Sequence, residues 1–411
     1  MKINVLSFYS DFTNAFSFIN NYSRSKNLNI NFSINYTTHL SGFLVGVFSS
    51  NFKNIFLPVA VRMNMVRSHE YAYDYTWVSE YLRKSGCKHE RSIRIAKLYV
   101  DYFIVNLKKH RPDKIIISGD SRVQSRALKI AADFLEIDTF YFEQGPFGTT
   151  VLDQVGVNAN ASFVDSINME CSSNAPINLY HVRKKRKTYW RLVDYAFEYF
   201  FLLFGFSELK EEKSILSIIK RSSRDSIYKN KTENTLDVYD ILVVGQVPQD
   251  ANILLHIPYK NFSQIIQTLL AKNPDSKVLF REHPLYRGCY EEKLYSLEKT
   301  NDNFHISQCK NLDDDISKCK NILVVNSLTG LEVILKHRRS IWVLGDAIYG
   351  KLSACKVTDL ERFQPIETEL LTQTHHDEAY NWFCANYLTG HFRDANLDIF
   401  CEAVIGKIND S

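Results

Sequence analysis

Ile241-Leu-Val-Val-Gly-Gln-Val-Pro-Gln-Asp-Ala-Asn-Ile-Leu-Leu-His256 opens with four apolar residues that read as a buried strand. Pro248 has no backbone N–H to give a ladder, so the strand ends before it. Asp250 is then left at the strand's carboxyl end, where open α/β sheets place their ligands. Two readings stand for Asp250: a carboxylate for chemistry, or a cap for the helix that Ile253 to Tyr259 begins.

Working outward, the same strand–helix alternation recurs on both sides. Toward the C-terminus the spacing predicts helix 262–272, strand 277–280, helix 291–299, strand 321–325, helix 328–337 and strand 340–344. Toward the N-terminus, Lys114-Ile-Ile-Ile-Ser-Gly-Asp120 is a strand running into a loop, 122–135 has helical spacing, and Thr139-Phe-Tyr-Phe-Glu143 is the next strand. Alternation of this kind predicts an α/β protein with two Rossmann-like, doubly wound domains and a cleft between them. The expected boundaries are 1–180 for the first domain, 181–235 for a connecting segment, 236–375 for the second domain, and 376–411 for helices crossing back to the first.

Bulk properties agree. A chain of 411 residues exceeds one ordinary core. Its 50 basic against 46 acidic residues leave a net charge of only +4, so nothing global calls for nucleic acid. The eight cysteines form no C-x-x-C pair, a pattern of reduced thiols in a cytoplasmic protein. The N-terminus reads as a first strand, its apolar run broken by Asn4, Ser7 and Asp11, and no segment reaches the roughly 18 apolar residues of a membrane span.

The connecting segment begins with His181-Val-Arg-Lys-Lys-Arg-Lys-Thr-Tyr-Trp-Arg-Leu192, which holds six Lys/Arg and no acid, and continues into an aromatic stretch to Phe206. Basic followed by aromatic is the pattern of a segment lying on an anionic membrane surface. It is also the pattern of a core helix with a solvated entry, and Asp194 and Glu198 interrupt its apolar face.

Candidate chemistry collects at the predicted strand ends. In Asn326-Ser-Leu-Thr-Gly-Leu-Glu332, Ser327 and Thr329 put hydroxyls beside the free N–H groups of a helix start, a phosphate-binding arrangement, and Gly330 allows a ligand close. Glu332 could accept from ribose hydroxyls or complete a capping box. Arg281 and His283 follow another strand and suit phosphate or carboxylate, with a structural histidine as the plain alternative. Glu143 ends a strand and leads into a stretch dense in Gly, Thr and Asn, through Asn158, that reads either as a ligand loop or as a turn-rich surface loop. Asp120, Gln246 and Asn252 lie near strand ends and are cleft-lining candidates, Asp120 also as a helix cap. Asp313-Asp-Asp315 and His375-His-Asp377 match metal-ligand spacings formally, but a helix cap and a surface loop are their default readings. The aromatic run 69–81 reads as helix packing, with sugar stacking as the alternative.

Four blocks in order then give a resemblance: Phe142-Glu-Gln-Gly145 with Gly156-Val-Asn-Ala159, Gln246-Val-Pro-Gln-Asp250 with Ile253-Leu-Leu-His256, His283-Pro-Leu285, and Asn326-Ser-Leu-Thr-Gly-Leu-Glu332. Together they resemble the capsule polysaccharide biosynthesis family of retaining β-Kdo glycosyltransferases, over about residues 113–350. The resemblance implies a GT-B architecture, CMP-Kdo as donor, and a lipid or glycan intermediate of a surface polysaccharide as acceptor. It implies no cofactor and no metal. By this likeness Asp250 and Glu143 are the essential carboxylates, and His283, Ser327 and Thr329 hold the CMP phosphate or the Kdo carboxylate. Arg281 stands where the family often has Lys, and Glu332 takes the ribose. The other readings kept open are a different nucleotide-sugar donor and a catalytically silent assembly partner.

Overall fold

The computed structural model describes residues 1–63, 73–167, 177–179, 189–203, 238–259, 261–366 and 370–410. These fall into two compact units. One holds Met1–Ser162, the helix Tyr189–Leu203 and the chain end from Cys384 onward; the other holds the described part of Lys213–Phe383 with the short turn at Phe163. The last residues therefore return to the first unit, and Phe163 belongs to the second.

The first unit is built on a seven-stranded sheet. Its strands are β1 (Lys2–Ser7), β2 (Asn31–Thr37), β3 (Lys53–Phe56), β4 (Lys114–Ser118), β5 (Asp138–Gln144), β6 (Thr149–Asp153) and, from the chain end, Leu388–Thr389. β3-β2-β1-β4-β5 are parallel, in the strand order of a dinucleotide-binding fold. β6 and Leu388–Thr389 add antiparallel at the edge.

Side chains alternate across these strands, so each sheet face has its own core. Ile3, Val5, Ile116, Phe140 and Phe142 pack on Phe12, Phe16 and Ile19 of helix Ser10–Ser25 and on Phe400, Val404 and Ile408 of helix Asp398–Asn409. Leu6, Ile117 and Tyr36 take the other face, where the Tyr36 ring meets Phe103 of helix His89–His110 edge-on at 5.4 Å. Each buried ring of this kind contributes about 1.5–3 kcal/mol.

The second unit has a six-stranded sheet, parallel throughout: β7 (Tyr239–Val244), β8 (Val278–Arg281), β9 (Phe304–Ile306), β10 (Cys319–Val324), β11 (Ile341–Val343) and β12 (Cys355–Val357), in the order β12-β11-β10-β7-β8-β9. This is again the Rossmann order. Ile241, Val243, Phe280 and Leu323 pack against Phe262, Ile265 and Leu269 of helix Phe262–Lys272, whose bounds match the expected span.

The helix after β7 runs Ala251–His256, earlier than its expected start at Ile253. Asp250 caps it, which sets the start. Pro258 disfavours helical geometry at Ile257, which is extended, and so ends it. Among the described residues no helix is long and apolar enough to cross a membrane.

Candidate functional site

In the second unit the strand order reverses between β7 and β10: the chain steps outward from β7 through β8 to β9, then returns to β10 on the other side. Ligands of such sheets bind at the carboxyl ends on either side of that reversal. β7 runs on into Gly245 and Gln246, β10 into Val325, Asn326 and Ser327. The two amides join the ends. Gln246 Nε2 donates to Asn326 Oδ1 at 3.1 Å, and the Asn326 N–H donates to Gln246 Oε1 at 3.3 Å. Asn326 Nδ2 reaches the Asn252 carbonyl at 2.9 Å, and Tyr290 Oη donates to the Gln246 carbonyl at 2.9 Å. Burial pushes the Tyr290 hydroxyl well above the usual tyrosine range, so it stays a donor. Both amide side chains are buried.

Asp250 sits one turn along from this network. Its Oδ1 accepts from the Asn252 N–H at 2.9 Å, so it is a helix cap, yet the residue is exposed. The two readings of Asp250 are compatible, because a carboxylate that caps a helix start can remain exposed to solvent.

Across the reversal, Ser327 Oγ donates to Thr329 Oγ1 at 3.0 Å and accepts from the Thr329 N–H at 3.2 Å. Ser327, just ahead of helix Thr329–His337, and Thr329 and Glu332, in its first turn, are half-buried. The Glu332 carboxylate makes no hydrogen bond among the described residues, so the capping box is not formed. Gly330 needs a correction. A Cβ there would lie 2.2 Å from Tyr349 Oη and 2.7 Å from its Cζ, so the missing side chain makes room for Tyr349 and not for a ligand. Tyr349 Oη in turn donates to the Ser327 carbonyl, fixing the turn.

Arg281 needs a second correction. It is 7% exposed and turned into the unit. Nη1 pairs with Asp315 Oδ2 at 2.5 Å and donates to the carbonyls of Cys309 (3.2 Å) and Asn311 (3.0 Å), while Nη2 donates to that of Lys310 (3.2 Å). A guanidinium so committed holds the 309–315 loop and leaves phosphate to other residues. Asp315 therefore belongs to a buried pair, completed by Ser307 Oγ at 2.7 Å, and Asp313 pairs with Lys336 and His337 at 3.0 Å. Lys336 beside it, against the opposing effect of partial burial, holds the Asp313 carboxyl below its ordinary range. Among the described residues no three His, Cys, Asp or Glu gather as a metal site.

His283 is half-buried next to β8. Its N–H donates to Tyr290 Oη at 3.1 Å, and its Nδ1 accepts from the Leu285 N–H at 3.1 Å, which places the proton of the neutral ring on Nε2. Its neighbour Glu282, unremarked in the sequence, is buried and accepts from the Gly288 N–H at 3.0 Å and Tyr295 Oη at 2.6 Å, bracing the His-Pro loop.

In the first unit Glu143 is half-buried at the end of β5, beside the β4 end: its Oε2 lies 3.9 Å from where a Gly119 Cβ would be, and its Oε1 accepts from the Gln144 N–H at 2.9 Å. Asp120 neither lines an open surface nor caps the following helix. It is 7% exposed; Oδ1 accepts from Ser121 Oγ at 2.5 Å, and Oδ2 from the Val157 N–H at 3.0 Å and Asn160 Nδ2 at 2.9 Å. Asp153 does the same from the other side, accepting from the N–H groups of Val155, Gly156 and Ser162. Asn158, half-buried with φ +55°, sits in the loop that these two carboxylates shape.

The Gly- and Thr-rich stretch after Glu143 begins as a hairpin. Phe147 and Gly148 take positive φ, the Thr149 N–H returns to the Pro146 carbonyl, and Thr149–Asp153 is strand β6. In the described part of the aromatic run Tyr81 is buried, with Arg122 4.4 Å over its ring, whereas Trp77 is exposed, with Arg126 over its ring at 4.7 Å. Residues 69–72 and the basic run 181–188 lie outside the described residues.

Two solved structures of KpsC from Thermosulfurimonas dismutans are similar to this chain. The β-Kdo 2,7 transferase is 17% identical over 68% of this chain and 80% of its own, with a TM-score of 0.37. The β-Kdo 2,4 transferase is 13% identical over 66% and 79%, with a TM-score of 0.38. UDP-GlcNAc 2-epimerase from Neisseria meningitidis is 13% identical and covered in full, with a TM-score of 0.36. Curated protein sequences give no match. The family model described as capsule polysaccharide biosynthesis protein matches residues 113–365, well over half the chain, a span that holds Glu143 and every second-unit residue discussed above. The chain belongs to the capsule polysaccharide biosynthesis family.

Proposed function

We propose that the chain is a retaining glycosyltransferase that moves Kdo from CMP-Kdo to a lipid or glycan intermediate of a bacterial cell-surface polysaccharide. It works without a metal ion, at the cytoplasmic face of the membrane. One observation carries the reading: Gln246, Asp250, Ser327, Thr329 and Glu332 stand at the ends of β7 and β10, the two strands flanking the order reversal of an all-parallel sheet. That position in a doubly wound sheet suits a nucleotide.

Breaking a bond at an anomeric carbon builds oxocarbenium character, which a carboxylate can stabilise or attack. Asp250 takes that role because it is exposed and fixed by its own cap. Glu143 serves as the acceptor-side carboxylate. Ser327, Thr329 and His283 meet the phosphate or the sugar carboxylate, whose charge would otherwise oppose departure of the nucleotide. Glu332, with no side-chain hydrogen bond among the described residues, takes the ribose. Arg281 has no part in donor binding.

Thermal shift with CMP, UMP, UDP and GDP tests the donor. A ligand at a hundred times its dissociation constant adds about 2.7 kcal/mol. Selective stabilisation by CMP is expected; preference for UDP or GDP removes the donor assignment, and indifference to all four removes the nucleotide site. A transfer assay with labelled CMP-Kdo in EDTA then tests the chemistry, and strict dependence on Mn²⁺ would overturn the metal-free reading.

A further inference from the structure

The helix Tyr189–Leu203 is inside out. Tyr189, Leu192, Ala196 and Phe200 recur at spacings of three and four, which puts them on one face. All four are exposed, the three large ones at 50, 62 and 53%. The opposite side carries the acid: Asp194 is buried, accepting from the Ser41 N–H at 2.7 Å and from Ser41 Oγ at 2.6 Å. Phe197, also inward, meets Phe56 at 5.8 Å. An ordinary surface helix does the reverse, burying its rings and showing its charges.

Asp194 explains the inversion. Helix Leu40–Ser49, which packs on this one, has no side-chain cap of its own, and Asp194 supplies an acceptor to the N–H of Ser41 in its first turn. The acid is spent on a neighbouring helix start, and the rings are left outside. Helix Leu40–Ser49 extends the same exposed apolar character with Val47 and Phe48, 52 and 83% exposed. Among the described side chains of the longer helix, none of those exposed is charged.

The sequence says what covers this face. Arg183-Lys-Lys-Arg-Lys187 ends two residues before the helix begins. Five consecutive cations next to exposed rings suit an anionic lipid surface, where charge draws the protein in and apolar side chains enter the headgroup boundary. We propose that Leu192, Ala196 and Phe200, with Val47 and Phe48, form a face that docks on an anionic bilayer. This deepens the membrane location proposed above and is independent of the donor.

Cosedimentation of the full chain with vesicles tests it. Binding is expected to vesicles of one part phosphatidylserine to three parts phosphatidylcholine, and not to phosphatidylcholine alone. The triple variant F48S/L192S/F200S should bind the anionic vesicles at least roughly tenfold more weakly. Its melting temperature and nucleotide shift should stay unchanged, because the three side chains are exposed. Absence of wild-type binding, or equal binding by the variant, overturns the proposal while leaving the donor reading intact. A large loss of melting temperature in the variant would mean that the chain covers this face itself. Concentration-dependent self-association, lost in the variant and without vesicle binding, would mean that a second copy does. Either result overturns the lipid assignment.

Discussion

Replacing Arg281 by Met should cost stability and spare nucleotide binding. The guanidinium pairs with Asp315 at 2.5 Å, with side-chain exposures of 8 and 0%, and donates to the carbonyls of Cys309, Lys310 and Asn311. Methionine fills most of the volume but leaves the Asp315 carboxylate buried with, among the described residues, only Ser307 Oγ still donating to it. Removing one partner of a buried pair costs about 3–5 kcal/mol, because the other charge stays out of water uncompensated. For a unit of this size each kcal/mol moves the midpoint by roughly 2–4 °C, so a fall of about 10 °C is expected. R281K should lose part of this, since an ammonium cannot span the carboxylate and three carbonyls together. R281M/D315L should regain much of it, because apolar replacement of both partners of a buried pair is often neutral. Urea and thermal unfolding read the cost, and the nucleotide shift, taken from each variant's own midpoint, reads the site. An R281M protein that melts within about 0.5 kcal/mol of wild type yet loses its nucleotide response would refute the structural role and return Arg281 to the donor.

Three further outcomes follow from the same geometry. Asn caps a helix as well as Asp does, so D250N should keep its stability within about 0.5 kcal/mol while transfer falls by at least about 100-fold; normal turnover would remove Asp250 from the chemistry. G330A should lose about 1–3 kcal/mol by overpacking against Tyr349, and G330A/Y349F should lose less than the two single changes together, as denaturant midpoints will show. Burial pushes the Cys401 thiol up to about 12, so an alkylating reagent at pH 8 should label it only after unfolding, measured by peptide mass; rapid labelling of the folded protein would mean that the terminal helix opens.

The second sheet was far more legible than the first because its strands are apolar on both faces. Ile-Leu-Val-Val at 241–244 and the run ending at Val325 can only be buried strands, and their alternation with helices implies a parallel sheet. β2 escaped notice because Asn31-Phe-Ser-Ile-Asn-Tyr-Thr37 mixes polar residues into a central strand. Asn35 there is fully buried and is satisfied from two sides: it accepts from Ser7 Oγ at 2.8 Å and donates to Asn54 Oδ1 at 2.9 Å. The buried amide is affordable only because β1 and β3 flank it, and the sequence of β2 alone does not contain those partners. β9 and β12 are three residues long and each carries a polar residue, His305 or Lys356, so they show neither a period nor the unbroken apolar run that marks the equally short β11.

At the site, position was legible and commitment was not. Asp120 and Asp250 look alike in sequence, each an acid just past an apolar strand. The fold separates them by what reaches their oxygens. Asp120 is buried and gathers donors from Ser121, Val157 and Asn160, the last two 37 and 40 residues away. Asp250 is exposed, and the bond that caps its helix comes from two residues on. Arg281 repeats the lesson with Asp315, 34 residues distant. A charge at a strand end is a candidate for chemistry only if no distant segment has already claimed it, and that claim is made in tertiary structure. Asp120 and Arg281 would have to give up bonds that hold the fold before taking such a role, whereas Asp250 caps its helix and still stands exposed at the strand end, where a carboxylate can meet a developing positive charge.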